Sequence, residues 1–366
     1  MANTHLDDRT LDVTMFGDDP RPSTGPAETR PQRTGLADGL VPVAFSFSHQ
    51  IVRLCDLRGI DGREQSFRHS VARWMADHPQ LTPIEMAWSA FVTAAGQTSR
   101  PAPAGFIFNV ARCGSTLLAN MLTAPSGHVT LKESSTIGVL LRELLVAESE
   151  AERLQLEELL ALTLPLFGRI AGPPDGHPVA RLFVKPHSLS TVSAGTLLRL
   201  FPNTPAVFLY RKPMEVVASM LTKGPYGGLC DRPREETLAN FPALATISPD
   251  LPAAAFYAHL WSSPVEAVLA IPSDRILLID YAELSSTPHA AIRRLTRHFG
   301  IDQSPETIAT MSDVTRVYAK DVSGLTAFDA AGAHHRPPPS AAQRAEVSLV
   351  ADDLYARLEA RRRAQT

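Results

Sequence analysis

The segment VARCGSTLL (Val110–Leu118) combines a fixed positive charge, a glycine and two hydroxyl side chains. It follows an apolar run and precedes a helix-like apolar pattern, which predicts a strand, a tight turn and a helix start. The first amide groups of a helix have no intrahelical partner, so they bind anions in the turn. Arg112 adds charge, Gly114 permits close backbone approach, and Ser115 and Thr116 add donors. The segment therefore predicts a phosphate site, with an ordinary capped strand-to-helix turn as the alternative.

Two later segments place charged side chains directly after apolar runs. FVKPHSL contains Lys185 and His187, and YRKPMEVVASM begins its polar part with Arg211. Pro213 predicts a helix start, which would put Ser219 near the second turn, within reach of the anion that Arg211 binds. In isolation, each of these residues is more typical of a solvated charge or an ordinary helical serine.

Apolar runs separated by segments of helical period position these residues. Ligands bind beyond the carboxyl ends of the strands in a parallel sheet, which is where the charged residues fall. Strands that are apolar throughout indicate a parallel sheet covered by helices on both faces, and hence an α/β fold. The runs are Phe106–Val110, Leu182–Lys185, Ala206–Tyr210 and Ile276–Tyr281.

Composition divides the chain into three parts. Residues 1–38 are polar and rich in Asp, Arg, Thr and Pro, which predicts a disordered tail. Residues 39–100 predict an N-terminal helical segment of two short helices, interrupted near Pro79–Pro83 and followed by a linker over Gly96–Gly105. Residues 101–366 form the main domain.

Charge and cysteine content restrict the partners and the compartment. The net charge of −3 lacks the basic excess that nucleic acid or an anionic membrane would favour. The 3 cysteines are widely spaced, which argues against a disulfide framework or a zinc site of cysteines. Without an apolar signal core or a long apolar run, the sequence predicts a cytoplasmic protein.

Together, these motifs resemble a known family. VARCGSTLL, FVKPHSL, FPNTPAVFLYRKPMEVVASM and ILLIDYAELSSTPHAAIRRLTRHFGI occur in the order, and at roughly the intervals, of the sulfotransferases that use 3′-phosphoadenosine 5′-phosphosulfate (PAPS). The resemblance extends from about Gly105 to Ile301. It implies a P-loop-type fold and sulfuryl transfer to a hydroxyl, or secondarily an amine, of a small molecule or peptide. The implied product is the 3′,5′-bisphosphate PAP, and no metal is required.

The resemblance also assigns binding residues. Arg112 matches the tyrosylprotein-type and bacterial members, whereas Cys113 departs from the more usual serine. Arg211 and Ser219 match the 3′-phosphate motif. The implied loop for the 5′-phosphosulfate consists of Arg112, Cys113, Gly114, Ser115, Thr116 and Leu117.

Two residues compete as the base that takes the acceptor proton. Glu133 matches the catalytic glutamate of the tyrosylprotein type, and His187 matches the histidine of the cytosolic small-molecule type. A histidine titrates nearer to neutral pH, but Arg112 belongs to the same subtype as Glu133. We therefore predict Glu133 as the base and keep His187 as the second candidate; their alternatives are a helix N-terminal carboxylate and a loop or capping residue. Lys185 would stabilise the leaving phosphate.

Two polar segments give weaker signals. Ala327–Val347 occupies the place of a late basic loop in the family, so His335 and Arg336 are candidate nucleotide contacts, although a proline-rich surface loop fits equally well. Thr222–Glu236 is a candidate acceptor-side loop or lid. The adjacent His334 and His335 make a poor metal site.

Two other functions use related features. A phosphotransferase needs G-x-x-x-x-G-K-[ST], and no lysine follows Gly114. An inactive nucleotide-binding scaffold would not need Glu133, Lys185 and His187. Both alternatives are therefore less consistent with the sequence than sulfuryl transfer.

Overall fold

The computed structural model describes residues 35–37, 39–60, 66–98, 101–170, 181–222, 233–317, 319 and 338–365. The predicted tail lies almost entirely outside these ranges. So do most of the candidate lid, Thr222–Glu236, and the late segment that contains His335 and Arg336.

An antiparallel sheet and two helices form the N-terminal part of the described chain. The strands β1 (Leu40–Ser46), β2 (Ile51–Asp56) and β3 (Ile84–Ala87) pair in that order. The two helices predicted here are present as α1 (Phe67–Asp77) and α2 (Trp88–Gly96). The sheet was not predicted, so residues 39–100 are corrected from a helical segment to a mixed α and β segment. The first strand contains a proline, which weakens its sequence signal.

This N-terminal segment packs directly on the main domain. Thr136 Oγ1 donates a hydrogen bond to the backbone oxygen of Val43 in β1 at 2.9 Å. The rings of Phe67 and Phe167 meet edge to face, with 5.2 Å between their centroids. Buried side chains from both parts belong to one continuous hydrophobic core.

A parallel sheet of five strands lies at the centre of the main domain. The strands are β4 Gly105–Asn109, β5 His128–Lys132, β6 Arg181–Lys185, β7 Ala206–Tyr210 and β8 Ile276–Asp280. Their spatial order is β5-β6-β4-β7-β8. Four of them are the predicted apolar runs, and β5 was not predicted because its sequence, HVTLK, is mixed in polarity.

Helices flank this sheet on both faces. Phe106, Ile107 and Phe108 in β4 are each 0% exposed, and successive side chains of a strand point to opposite faces. The predicted α/β fold is confirmed. None of the helices in the described ranges is both long and apolar enough to cross a bilayer. The helices are α3 Ser115–Thr123, α4 Ser135–Val146, α5 Glu150–Leu166, α6 Ala194–Leu200, α7 Pro213–Leu221, α8 Arg234–Asn240, α9 Ala253–Leu269, α10 Tyr281–Ser286, α11 Pro288–Phe299, α12 Pro305–Asp313 and α13 Ala341–Arg363.

Candidate active site

The anion loop, residues 110–114, joins β4 to α3 as predicted. Arg112 (φ 58°) and Gly114 (φ 86°) both adopt a left-handed backbone. A Cβ atom on Gly114 would lie 2.6 Å from Cδ2 of Tyr281, so only glycine fits at this position. The amides of Ser115, Thr116 and the next residue precede the first intrahelical hydrogen bond of α3. The loop thus has the geometry of an anion site.

A side-chain contact connects the anion loop to the second predicted phosphate motif. The Arg112 Nε donates a hydrogen bond to Ser219 Oγ at 3.0 Å. Pro213 is the first residue of α7, as predicted, and Ser219 is 3% exposed in its second turn. Two segments 107 residues apart in sequence therefore meet at the carboxyl ends of β4 and β7.

Arg211 lies at the same edge of the sheet and has different partners. Its Nε donates to Glu215 Oε2 at 2.7 Å, and its guanidinium carbon lies 4.6 Å from the centre of the Tyr281 ring. Trp261 Nε1 donates to the backbone oxygen of Arg211 at 3.0 Å. Because the Tyr281 ring also contacts Gly114, it connects Arg211 to the anion loop.

Lys185, at the end of β6, is paired with Glu133. The Lys185 side chain is 1% exposed, and its Nζ donates a short hydrogen bond to Glu133 Oε1. The Glu133 side chain is 34% exposed. This carboxylate therefore contacts a buried ammonium and also reaches the surface.

The backbone around Glu133 explains how this pair forms. In the β5–β6 pairing, Lys132 lies opposite Lys185, and the next amide, that of Glu133, donates to the Lys185 oxygen at 2.7 Å. Glu133 then turns left-handed, with φ 49°. Ser134, not Glu133, caps α4 by accepting from the Ile137 amide at 3.4 Å. Glu133 thus lies at the N-terminal end of α4, one residue before its cap, and its carboxylate pairs with Lys185.

His187 follows the same strand and acts as a cap. Its Nδ1 accepts from the Leu189 amide at 3.2 Å, at the start of the 3₁₀ helix Ser188–Ser193. Its ring stacks on Phe241, with 5.0 Å between centroids. His187 is thus positioned by its own turn and by a neighbouring aromatic ring.

A buried amide fixes the anion loop relative to the Lys185 turn. Asn109 is 2% exposed, and its Nδ2 donates to the Pro186 oxygen at 3.3 Å. The backbone N–H of Asn109 donates to Thr191 Oγ1 at 3.2 Å, and this hydroxyl donates to the backbone oxygen of Asn109 at 3.1 Å. The ends of β4 and β6 are therefore held in register.

Comparison with known protein families agrees with this arrangement. The family model described as the sulfotransferase family matches residues 103–305, just over half of the chain. The chain belongs to the sulfotransferase family. The matched range contains the anion loop, Glu133, Lys185 and the Arg211–Ser219 motif. The function predicted from the motifs, sulfuryl transfer, is confirmed at the level of the family.

Several solved structures are similar to this sulfotransferase at low sequence identity. The sulfotransferase domain from the curacin biosynthetic pathway is 16% identical with a TM-score of 0.41, covering 70% of this chain and 99% of that one. A sulfotransferase from Alicyclobacillus acidocaldarius is 13% identical with a TM-score of 0.39, covering 72% and 96%. Mouse sulfotransferase SULT7A1, complexed with PAP, is 13% identical with a TM-score of 0.35, covering 71% and 89%. No curated protein sequence matches significantly.

Cys113 occupies the loop position where serine is more usual. It is 0% exposed, and burial raises the pKa of its thiol to about 12, although the nearby Lys185 ammonium acts in the opposite direction. The side chain therefore stays a neutral thiol at physiological pH. Only the backbone of Cys113 is suited to an anion contact.

Sequence reasoning missed Tyr281. Its ring packs against Gly114 and under Arg211, and it is the first residue of α10. Asp280 and Glu283 form a capping box that fixes this helix start. The spacing Asp-x-x-Glu directly after an apolar strand was the available signal.

Some predicted contacts lie outside the described residues, namely those of His335 and Arg336. Within the described ranges, no group of three or more His, Cys, Asp or Glu side chains is arranged to hold a metal ion.

Proposed function

We propose that this sulfotransferase uses PAPS as its donor and releases PAP. The Arg112–Ser219 hydrogen bond carries the proposal, because it places the two predicted phosphate motifs side by side. A donor with phosphate groups at both its 5′ and 3′ positions matches two adjacent cationic sites. The glycine turn and the helix start fit one anion, and Arg211 provides charge for the other.

Individual residues take separate roles in this scheme. Arg112 and the amides from Cys113 to Leu117 hold the 5′-phosphosulfate, with Ser115 and Thr116 as hydroxyl donors. Arg211 and Ser219 hold the 3′-phosphate. Lys185 stabilises the oxygen that links sulfur to the 5′-phosphate.

The proposed reaction is an in-line transfer of the sulfuryl group, which needs a base for the acceptor proton. The acceptor oxygen bonds to sulfur as the bond from sulfur to the 5′-phosphate oxygen breaks, and that electron pair stays on the phosphate. The acceptor proton goes to a base, which we propose is Glu133. The hydrogen bonding of His187 favours Glu133 over His187 as the base. The His187 Nδ1 already accepts a hydrogen bond from the Leu189 amide. A neutral imidazole with Nδ1 as acceptor carries its proton on Nε2, so Nε2 cannot accept another.

We propose that the acceptor hydroxyl approaches Glu133 beside a small cavity whose lining includes Leu131, Ser134, Val184, Lys185 and His187. This cavity has room for about one water molecule, so the body of the acceptor lies outside it. We place the enzyme in the cytoplasm, in keeping with the buried free thiols of the described chain, Cys55 and Cys113.

Calorimetric titration with PAP and with ATP, followed by unfolding of the protein in the presence of each nucleotide, tests the donor. PAP at about 100 times its dissociation constant should raise the free energy of unfolding by roughly 2.7 kcal/mol, because it binds only the folded protein. ATP at the same concentration should do far less. Equal stabilisation by both nucleotides would show that the 3′-phosphate site is misassigned. Transfer of a radiolabelled sulfuryl group from PAPS to pooled metabolites then identifies the acceptor.

A further inference from the structure

Lys185 is a buried cation with a carboxylate already bound. Its side chain is 1% exposed, and among the described residues Glu133 is the only carboxylate within ion-pair distance of its ammonium. A buried charge is stable only when it is compensated, and removing one partner of such a pair is strongly destabilising. The Glu133 carboxylate therefore compensates the charge of Lys185.

The same ammonium lies close to the anion loop. β6, which ends at Lys185, lies beside β4, which leads into the loop, and the ammonium acts to lower the pKa of the Cys113 thiol. The Asn109–Pro186 hydrogen bond fixes the strand before the loop to the residue after Lys185. An anion bound at the loop therefore approaches the cation that Glu133 neutralises.

The Glu133 carboxylate and an anion bound at the loop then compete for the Lys185 ammonium. We propose that Lys185 exchanges partners, leaving Glu133 and pairing with the donor's 5′-phosphosulfate when the donor binds. This inference rests on the proposed function and adds an order of events. The left-handed backbone of Glu133 and its hydrogen bond to the Lys185 oxygen keep the carboxylate nearby after the exchange.

The exchange prepares the base only when the donor is present. A carboxylate held by an ammonium is a weaker proton acceptor than a released one, because the cation stabilises its charged form. Once Lys185 turns to the donor, Glu133 no longer shares its charge with this ammonium and is a better acceptor for the proton, while Lys185 stabilises the electron pair left on the phosphate. An acceptor that enters first meets a paired, less basic carboxylate, so the donor binds first in the productive order.

Affinity for PAP in the full-length protein tests the exchange directly. Glu133→Gln keeps the side-chain shape but removes the competing charge, so PAP should bind about tenfold more tightly or better, measured by calorimetry. The matched control is Glu143→Gln, which removes the same charge from α4, where Glu143 pairs with Arg142 at 2.7 Å. Its affinity should stay within about twofold of the parent. Equal or weaker PAP binding by Glu133→Gln overturns the exchange.

A double-mutant cycle assigns the effect to Lys185. In a Lys185→Met background, Glu133→Gln should leave PAP affinity unchanged, because no ammonium remains to be released. A persistent gain would trace the effect to general charge and overturn the exchange. If Glu133→Gln is unstable without ligand, PAP should raise its free energy of unfolding more than that of the parent, because the nucleotide supplies the missing compensation for Lys185. Equal or smaller stabilisation by PAP would overturn the exchange.

PAP binding by the parent protein separates the partner exchange from the proposed function. A parent protein that binds PAP no better than ATP contradicts the function itself. A parent that binds PAP selectively, with a Glu133→Gln variant of unchanged affinity, contradicts only the exchange.

Discussion

The Arg211–Glu215 and Lys185–Glu133 pairs both lie at the edge of the sheet where the nucleotide is proposed to bind, and they differ in burial and in sequence separation. Arg211 and Glu215 are four residues apart, with side chains 18% and 45% exposed. Lys185 and Glu133 are 52 residues apart, and the lysine is almost fully buried. The first pair depends on one helix turn, whereas the second depends on the neighbouring positions of β5 and β6.

The difference predicts different behaviour when a ligand arrives. Exposed pairs contribute about 0–1 kcal/mol, because water screens them and replaces a lost partner. Arg211 can therefore leave Glu215 for a phosphate at little cost. Lys185 is 1% exposed and therefore poorly compensated by solvent, so the Glu133 carboxylate and the donor compete directly for its ammonium.

The largest expected effect comes from breaking the buried pair. Glu133→Gln should lower turnover by about 10² to 10⁴, because the variant lacks the carboxylate that we propose takes the acceptor proton. Steady-state kinetics with a saturating donor measure this loss. His187→Asn should cost clearly less.

The reverse result would assign the role of base to a different residue. If His187→Asn abolishes turnover while Glu133→Gln stays within a few-fold of the parent, His187 is the base. The pH profile gives an independent check. Activity that persists towards about pH 5 indicates a carboxylate, and loss below about pH 6 to 7 indicates a histidine.

Replacing Arg211, the cation of the more exposed pair, should have a smaller effect. Arg211→Ala should weaken PAP binding by roughly 1.5 to 3 kcal/mol, the range for a hydrogen bond to a charged group. Affinity for adenosine 5′-phosphate, which lacks the 3′-phosphate, should barely change. Calorimetry with both ligands separates the two sites, and equal losses would mean that Arg211 only supports the fold.

The smallest effect should come from the carboxylate of the exposed pair. Glu215→Gln should tighten PAP binding by less than about fivefold, because the pair is screened by solvent. Calorimetry alongside Glu133→Gln makes the comparison quantitative. A gain as large as that expected for Glu133→Gln would show that burial is not what distinguishes the two pairs.

Local sequence patterns were sufficient to predict much of this architecture. Four apolar runs became the strands β4, β6, β7 and β8, and Pro213 placed Ser219 in the second turn of its helix. These features depend on residues close together in the chain. The strand β5 and the N-terminal sheet were missed, since their runs contain polar residues or proline.

Contacts between distant segments could not be read in the same way. Arg112 was predicted to bind an anion, but its hydrogen bond to Ser219 depends on the packing of α7 beside the loop. The Lys185–Glu133 pair requires that β5 lie next to β6, and strand order has no local signature. Tyr281 contacts Gly114 only because α10 begins at the same sheet edge.

The packing of β1 on α4 extends the folded unit beyond the segment that defines the family. The family match begins at residue 103, yet Thr136 in α4 donates to Val43, and both segments contribute to one core. The helix that starts just after Glu133 is therefore supported by residues the family pattern does not include. A chain trimmed to the matched range would retain the anion loop, Glu133, Lys185 and the Arg211–Ser219 motif but would lose part of the core around that helix. The range that identifies the family is therefore smaller than the packed unit that holds the proposed base in place.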